Sequence, residues 1–289
     1  MKFLRALWRA AAVIGMAAPL AVAQAIIVGP LAALKGGIAG PAQQDFTYIP
    51  QLMQRKLCKI FNIAVDVKGA AHDDSRQTMI VANHLSWLDA PVLGGLFRGA
   101  FVGKADIAGW PGVGYMAKCF RTIFIERTKA YLPQAHEKLV DAFNEGQTLI
   151  VFPESTTTNG ADVKMFRAGL LKVLFNEAVD VKGHPLRVIP DIRIQPVAIR
   201  VMETDGRDAT KNQAARDIYC WYEGDGSKTI LHHIWRALMA DGMKVQVSIL
   251  PALDPGDFSN RFDLINTAHK MVREVVTGQI LPDPEPWKP

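Results

Sequence analysis

The segment of this chain best suited to chemistry places a histidine and an aspartate around a strand-to-helix junction. Residues 83–89 read NHLSWLD, between an apolar run at 79–82 and a helical pattern. On one continuous helix His84 and Asp89 would point about 140° apart. If His84 lies in a turn and Ser86 caps the helix, Asp89 falls in its first turn and can point back toward the imidazole. The spacing therefore predicts a carboxylate–imidazole pair at this turn.

Such a pair can remove a proton from an alcohol. A neutral imidazole accepts the proton, and a carboxylate on its other nitrogen fixes the tautomer and stabilises the imidazolium that forms. No serine has a G-x-S-x-G setting, so the pattern indicates that the nucleophile is a hydroxyl of the substrate and that the reaction is direct acyl transfer. The same residues also fit a structural role, with Ser86 and Asp89 as a capping box and His84 as a loop histidine.

Three further segments are each open to two interpretations. Residues 114–127 (GYMAKCFRTIFIER) predict a strand ending in Arg127, which either faces solvent or binds a phosphate or carboxylate. Residues 148–160 (TLIVFPESTTTNG) predict a strand that opens into a hydroxyl-rich turn, either locally bonded or lining an anionic pocket. Residues 194–199 (IQPVAI) carry Pro196, which alone indicates only an edge strand or a bulge.

Taken together, these segments resemble the H-x-x-x-x-D glycerolipid acyltransferase family. A typical member of that family is 1-acyl-sn-glycerol-3-phosphate acyltransferase. Its four blocks occur in order as NHLSWLD, FIER, VFPEST and QPVAI, and the resemblance covers residues 57–250. Four blocks in order are far more specific than one. The resemblance implies that His84 is the general base toward the acceptor hydroxyl and that Asp89 orients it.

The resemblance also implies a substrate-binding set on the second and third blocks. Its members are Arg127, Glu154, Ser155 and Thr156, with Lys104 as a further candidate for anion contact. Glu154 cannot itself attract a phosphate, because both are negative, so we expect it to hold the turn or to pair with a basic residue. Pro196 is expected to be structural or to lie near the acyl donor.

The third block departs from the family in one respect. It is usually E-G-T-R, whereas residues 154–157 read ESTT, so that Ser155 replaces the glycine and Thr157 replaces the arginine. An arginine fork that would grip a phosphate monoester is missing at that position. The change favours members that acylate lyso-ornithine lipid or lysophospholipids with larger head groups.

The expected activity is therefore O-acyl transfer to a lyso-lipid. The donor is a fatty acyl thioester, on acyl-CoA or acyl carrier protein, and neither a further cofactor nor a metal ion is required. Because the FIER arginine is present, the first acceptor is 1-acyl-sn-glycerol-3-phosphate, giving phosphatidic acid; the alternative is lyso-ornithine lipid or another lysophospholipid. A more distant alternative is an exported or membrane-tethered binding protein without catalysis.

The N-terminal segment raises the question of membrane attachment. Residues 10–34 carry no charge over 25 positions and follow Lys2, Arg5 and Arg9. As a helix they would span roughly 37 Å, enough to cross a bilayer core. A cleaved signal peptide is also consistent, since residues 21–23 read AVA, as is a re-entrant or in-plane helix. We favour a retained anchor at the cytoplasmic face of the membrane, because the expected donor is a cytosolic thioester.

The rest of the chain has the pattern of one α/β domain. Residues 1–50 are assigned to the anchor and linker, and residues 51–289 to a catalytic domain with a central, mixed, helix-covered sheet. Strands are predicted at 64–67, 78–82, 100–103, 123–126, 148–152, 195–200, 219–222 and 244–250. Helices are predicted at 51–61, 86–97, 113–120, 132–145, 168–179, 229–239 and 263–278.

Composition excludes several classes of protein. Of the 289 residues, 49% are hydrophobic and 21% are charged, which is enough apolar surface for a core and excludes a disordered chain. The formal net charge of +5 is too diffuse to indicate a nucleic-acid partner. The three cysteines, Cys58, Cys119 and Cys220, lie far apart, which predicts buried thiols and neither a disulfide framework nor a cysteine zinc site.

Overall fold

The computed structural model describes residues 1–23, 48–69, 76–110, 113–126, 128–187, 191–227 and 229–281. Its α-helices are α1 (Lys2–Ala23), α2 (Tyr48–Ile60), α3 (Asp89–Leu96), α4 (Val113–Cys119), α5 (Leu132–Asn144), α6 (Gln213–Arg216), α7 (Ile230–Met239) and α8 (Arg261–Thr277). Its strands are β1 (Ile63–Gly69), β2 (Gln77–Ala82), β3 (Ala100–Lys104), β4 (Ile123–Ile125), β5 (Leu149–Val151), β6 (Ile192–Thr204), β7 (Arg207–Asp208) and β8 (Met243–Ile249). Short 3-10 helices occur at Ala105–Gly109, Lys129–Tyr131, Gly169–Phe175 and Pro255–Asp257.

One mixed sheet organises the fold, as predicted. The strand order is β1-β8-β6-β2-β5-β3-β4, with β7 paired to β6. The pairs β1/β8, β6/β2, β2/β5, β5/β3 and β3/β4 are parallel, whereas β8 runs antiparallel to β6. Parallel strands end at the same edge of a sheet, and that edge beyond β2 and β5 carries the NHLSWLD and VFPEST blocks.

Helices cover both faces of the sheet. On one face α1, α2, α3 and α7 contribute buried apolar side chains, and on the other α5, α8 and the Gly169–Phe175 turn do so. The apolar run of β2 that ends at Ala82 is fully buried because the strand is covered on both sides. The three cysteines are buried and unpaired, as predicted.

Two predicted elements are wrong. Residues 219–222 form no strand, because this segment bonds to the NHLSWLD turn instead of to a neighbouring strand: the backbone N–H of Trp221 donates to the carbonyl of Leu85 (2.9 Å). The helix predicted at 168–179 is the shorter 3-10 helix Gly169–Phe175. It ends where Asn176 takes a left-handed conformation, at φ 54°.

Pro196 lies in an interior strand, not at an edge. Strand β6 runs between β2 and β8, and Leu250 donates its backbone N–H to the carbonyl of Pro196 (3.1 Å). Proline cannot return that bond. The side-chain amide of Gln195 donates to the carbonyl of Leu250 in place of the missing proline N–H. The carbonyl of Leu250 is therefore not left without a donor.

The N-terminal helix is packed against the rest of the protein. Helix α1 contacts α7 and α2, and the buried guanidinium of Arg9 donates to the carbonyls of Leu238 (3.1 Å) and Ala240 (2.7 Å) at the end of α7. Among the described residues, no helix is long and apolar enough to cross a membrane. Residues 24–47, which include the rest of the uncharged segment, lie outside the described part of the chain.

Candidate active site

The site begins where β2 ends. The side-chain amide of Asn83 pairs with the backbone of Ile199 in β6, donating through Nδ2 to the carbonyl (3.0 Å) and accepting at Oδ1 from the N–H (2.7 Å). Asn83 thus imitates one more residue of strand pairing after the backbone has turned away. This contact fixes the point from which His84 leaves the sheet.

The turn brings His84 and Asp89 together. Nδ1 of His84 lies 2.8 Å from Oδ2 of Asp89. The capping contacts expected of Ser86 form, since its Oγ accepts the N–H of Leu88 (2.9 Å) and its own N–H donates to Asp89 (2.9 Å). Helix α3 nevertheless starts at Asp89, three residues later than predicted, with Leu88 as its N-cap. The reason is Pro91, which has no N–H, so that the first bond of the helix runs from Val92 to the carbonyl of Leu88 (3.2 Å). The predicted pairing forms, with Asp89 at the first residue of the helix.

The carboxylate of Asp89 is fully buried and fully bonded. Besides the imidazole, Oδ2 accepts the backbone N–H groups of Leu85 (2.6 Å) and Ser86 (2.9 Å). Oδ1 accepts the phenolic hydroxyl of Tyr219 (2.9 Å). A buried ionised carboxylate needs such partners, since desolvation without them is costly. The network determines both the position of Asp89 and its orientation toward His84.

Residues of the third block and of the turn that follows it form hydrogen bonds with the backbone of His84. Oε1 of Glu154 accepts the backbone N–H of His84 (2.7 Å), and Oε2 accepts that of Lys164 (2.7 Å). Thr158 donates its N–H to the carbonyl of His84 (2.9 Å). Burial raises the pKa of Glu154 to about 8, although the N–H groups of His84 and Lys164 act to lower it. Glu154 therefore joins the turn at His84 to the loop at Lys164 and holds the turn, which is one of the two roles predicted for it.

The imidazole is oriented and remains accessible. The ring of Phe152 stacks on that of His84, with centroids 4.0 Å apart and planes 11° apart. The side chain of His84 is 23% exposed, compared with 0% for Asp89. In the described part of the chain, Nε2 of His84 has no hydrogen-bond partner. A base oriented through Nδ1 and open at Nε2 can take a proton from a bound hydroxyl.

Comparison with known proteins identifies the fold and the family. A family model described as Acyltransferase matches residues 64–200. A lyso-ornithine lipid O-acyltransferase from Pseudomonas aeruginosa is 30% identical over 98% of this chain and 97% of that protein. This chain belongs to the glycerolipid acyltransferase family. A 1-acyl-sn-glycerol-3-phosphate acyltransferase from Neisseria meningitidis is 23% identical over 77% of this chain and 78% of that protein.

The acyltransferase also resembles a solved structure. The crystal structure of the 1-acyl-sn-glycerophosphate acyltransferase from Thermotoga maritima matches with a TM-score of 0.59 and 19% identity, over 96% of this chain and 97% of that one. At that identity the likeness shows a common α/β fold.

The predicted substrate-binding residues differ in their exposure and in their contacts. Thr156 is exposed, while Glu154 is buried and bonded to backbone. Ser155 takes a left-handed conformation, at φ 63°, which explains why the acyltransferase family prefers glycine there. Lys104 is exposed and forms an ion pair with Asp106. Arg127 lies outside the described residues.

Sequence reasoning missed three residues of this acyltransferase site. Asn83 opens the first block, and a polar residue directly after a buried strand is a signal that could have singled it out. Thr158 lies two residues after the VFPEST block, in the hydroxyl-rich turn. Tyr219 belongs to no block and lies 130 positions from Asp89 in the chain. No spacing rule links residues that far apart, so only the folded structure reveals this contact.

Proposed function

We propose that this acyltransferase transfers a fatty acyl group from a thioester, on coenzyme A or acyl carrier protein, to the hydroxyl of a lyso-lipid. The observation that carries the proposal is the contact between Nδ1 of His84 and the buried carboxylate of Asp89, with Nε2 left open. The sequence has no serine in a G-x-S-x-G setting. A histidine held in this way therefore fits the role of a base that activates a hydroxyl of the substrate.

In this mechanism Nε2 of His84 takes the hydroxyl proton as the acceptor oxygen attacks the thioester carbonyl. The imidazolium is stabilised by Asp89, and backbone N–H groups stabilise the oxyanion of the tetrahedral intermediate. Collapse breaks the C–S bond, and the proton on His84 passes to the departing thiolate. The products are an ester and a free thiol.

We propose lyso-ornithine lipid as the acceptor. Its head group is an amino acid and contains no phosphate. This fits the third block, where Thr157 stands in place of the usual arginine, and it fits Lys104, whose ammonium is paired with Asp106. The Pseudomonas relative that spans almost the whole chain is named for this acceptor. The sequence blocks alone place 1-acyl-sn-glycerol-3-phosphate first and lyso-ornithine lipid second. We propose the reverse order on these observations.

Lysophosphatidate is the second candidate acceptor. The FIER block retains Arg127, a residue type suited to binding phosphate. The relatives from Neisseria are named for 1-acyl-sn-glycerol-3-phosphate. Both candidates have a free hydroxyl near an acyl chain, so the same base serves either.

An acyl-transfer assay with the full chain in lipid vesicles tests the reaction and the acceptor together. Radiolabelled acyl-CoA and acyl carrier protein are each offered with lyso-ornithine lipid or lysophosphatidate, with His84→Ala as the blank. We expect ester product from lyso-ornithine lipid that is lost in the blank. Product only from lysophosphatidate would overturn the acceptor, and no product from any combination would overturn the activity.

We further propose that the outward face of α1 lies in the interface of the cytoplasmic leaflet. That face exposes a helical stripe of large apolar side chains: Phe3, Leu4, Leu7, Trp8 and Ile14. The opposite face is packed, with Ala6 and Arg9 buried. An apolar stripe at helical spacing is typical of in-plane binding, and the net positive charge favours an anionic leaflet.

Sedimentation with anionic phospholipid vesicles tests this placement. The double variant Leu7→Ser/Trp8→Ser should bind several-fold more weakly than the parent protein, because burial of each side chain in lipid is lost. The matched control is Ile280→Ser, which removes an exposed apolar side chain near the other end of the chain. Equal binding by all three proteins would overturn the placement.

A further inference from the structure

A tyrosine outside the four blocks is bonded to the catalytic pair. Tyr219 follows α6 and is fully buried, and its hydroxyl donates to Oδ1 of Asp89 (2.9 Å). Neighbouring residues tie the same segment to the turn. The N–H of Trp221 donates to Leu85, and the carbonyl of Cys220 is bonded to His233 (3.0 Å), whose other nitrogen accepts the indole N–H of Trp87 (3.0 Å).

The two oxygens of Asp89 have different surroundings. Oδ2 is shared by the imidazole of His84 and two backbone N–H groups of the turn. In the described part of the chain, Oδ1 has one hydrogen bond, the one from Tyr219. Both oxygens lie off the Cβ–Cγ bond, so the three donors on Oδ2 already oppose rotation of the carboxylate. The donor on Oδ1 adds a restraint from the opposite side.

The hydroxyl of Tyr219 is available as a donor at all working pH values. Burial, and then the negative charge of Asp89, raise the pKa of this phenol well above its ordinary value. It therefore remains protonated and donates to the carboxylate throughout the pH range in which a histidine base operates.

We propose that Tyr219 is a positioning residue for acyl transfer: its hydroxyl fixes the plane of the Asp89 carboxylate, so that Oδ2 stays on Nδ1 of His84. The inference rests on the proposed function, since it concerns the same reaction.

The test compares two tyrosines by steady-state kinetics over a range of pH. Tyr219→Phe removes the hydroxyl on Asp89 and keeps the ring. Tyr222→Phe is the matched control, because its hydroxyl also donates to a carboxylate, that of Asp217 (3.1 Å), outside the catalytic pair. We expect Tyr219→Phe to lower kcat about tenfold or more with little change in KM, as loss of orientation does. Tyr222→Phe should match the parent enzyme.

The pH profile separates positioning from mere packing. Without the phenol donor Oδ2 is no longer held on Nδ1, so the imidazolium loses part of its stabilisation and the acidic limb of the kcat/KM profile should move to lower pH in Tyr219→Phe. A lower kcat with an unmoved profile would indicate a packing role and overturn the inference. An unchanged kcat in Tyr219→Phe, with the parent enzyme active, would also overturn it.

A double variant guards against loss of the fold. Tyr219→Phe leaves a buried charged oxygen without its donor, whereas Asp89→Asn/Tyr219→Phe removes that charge at the same time. If Tyr219 acts through Asp89, the double variant should be no slower than Asp89→Asn alone. If Tyr219→Phe lowered kcat by the same factor in the Asp89→Asn enzyme as in the parent enzyme, the inference would be overturned. An inactive parent enzyme would instead overturn the proposed function, and this inference with it.

Discussion

Two histidine–aspartate contacts in this protein have almost the same geometry and very different surroundings. Nδ1 of His84 lies 2.8 Å from Asp89, and Nδ1 of His184 lies 2.9 Å from Asp180. In both, the carboxylate also accepts backbone N–H groups of its own turn; for Asp180 they come from Lys182 (2.8 Å) and His184 (2.7 Å).

The difference lies in what surrounds each pair. The side chains of His184 and Asp180 are 72% and 21% exposed, in a surface turn. At the first pair, Phe152 stacks on the imidazole, Tyr219 donates to the carboxylate, and Glu154 holds the backbone. Under the proposed mechanism, a histidine–aspartate contact alone does not make a catalytic base. We infer that burial and a second layer of contacts give His84 the fixed direction that His184 lacks.

The largest expected effect comes from the histidines. His84→Ala should lower acyl transfer by about 10³-fold or more, since it removes the base and leaves only substrate binding. His184→Ala, its partner in the comparison, should retain full activity. Rates measured with radiolabelled donor check both. Equal losses in the two variants would show that activity depends on general stability and not on the first pair.

The aspartates give the next largest effect. Asp89→Asn should lower kcat by about 10²- to 10⁴-fold, because the amide offers the imidazole the wrong hydrogen-bond partner and no charge. Asp180→Asn should leave kcat unchanged, since its carboxylate lies in a surface turn. Steady-state kinetics with a melting curve for each variant check the prediction. A folded Asp89→Asn enzyme with parental kcat would contradict it.

The smallest expected effect is a pH dependence of stability at Glu154, the residue that holds the backbone of His84. Burial raises the pKa of Glu154 to about 8 from 4.5, so folding favours its protonated form. Its contribution to stability is complete below about pH 4.5 and is lost as the pH rises toward 8. Relative to Glu154→Gln, the parent protein should lose about 1 kcal/mol of unfolding free energy per pH unit in that window.

Urea melts of both proteins at several pH values measure this difference. Asp180→Asn provides the control. Partial burial acts to raise the pKa of Asp180, but the hydrogen bonds from His184 and Lys182 outweigh it and lower the pKa. Asp180 therefore titrates below the window, and its variant should parallel the parent protein there. Parallel curves for Glu154→Gln and the parent would contradict the assignment for Glu154.

Most of the regular elements could be predicted from the sequence. The strands around Met79 and Ile150 are short apolar runs bounded by turn residues, and such runs keep their identity once they are covered on both sides. The prediction failed at residues 219–222, where aromatic residues of high β propensity pack on a turn. Propensity describes a residue type, whereas a strand also needs a neighbouring strand with free hydrogen-bonding groups.

The N-terminal segment shows a different limit. Uncharged composition over 10–34 predicts an anchor, but composition does not determine which face of a helix is covered. In α1 the buried guanidinium of Arg9 binds the carbonyls at the end of α7, so a charge that a hydropathy argument counts against burial is instead part of the packing.

The sequence alone determined that His84 and Asp89 meet, because residues this close in the chain can come together through one local turn. It took four blocks in order to favour a catalytic role for the pair over a structural one. Only the tertiary structure decided which contacts hold them. Tyr219, Glu154 and Ile199 reach the turn from distant parts of the chain, and the physical reason is that the sheet gathers separate strand ends at one edge. That gathering distinguishes His84–Asp89 from the equally close pair at the surface.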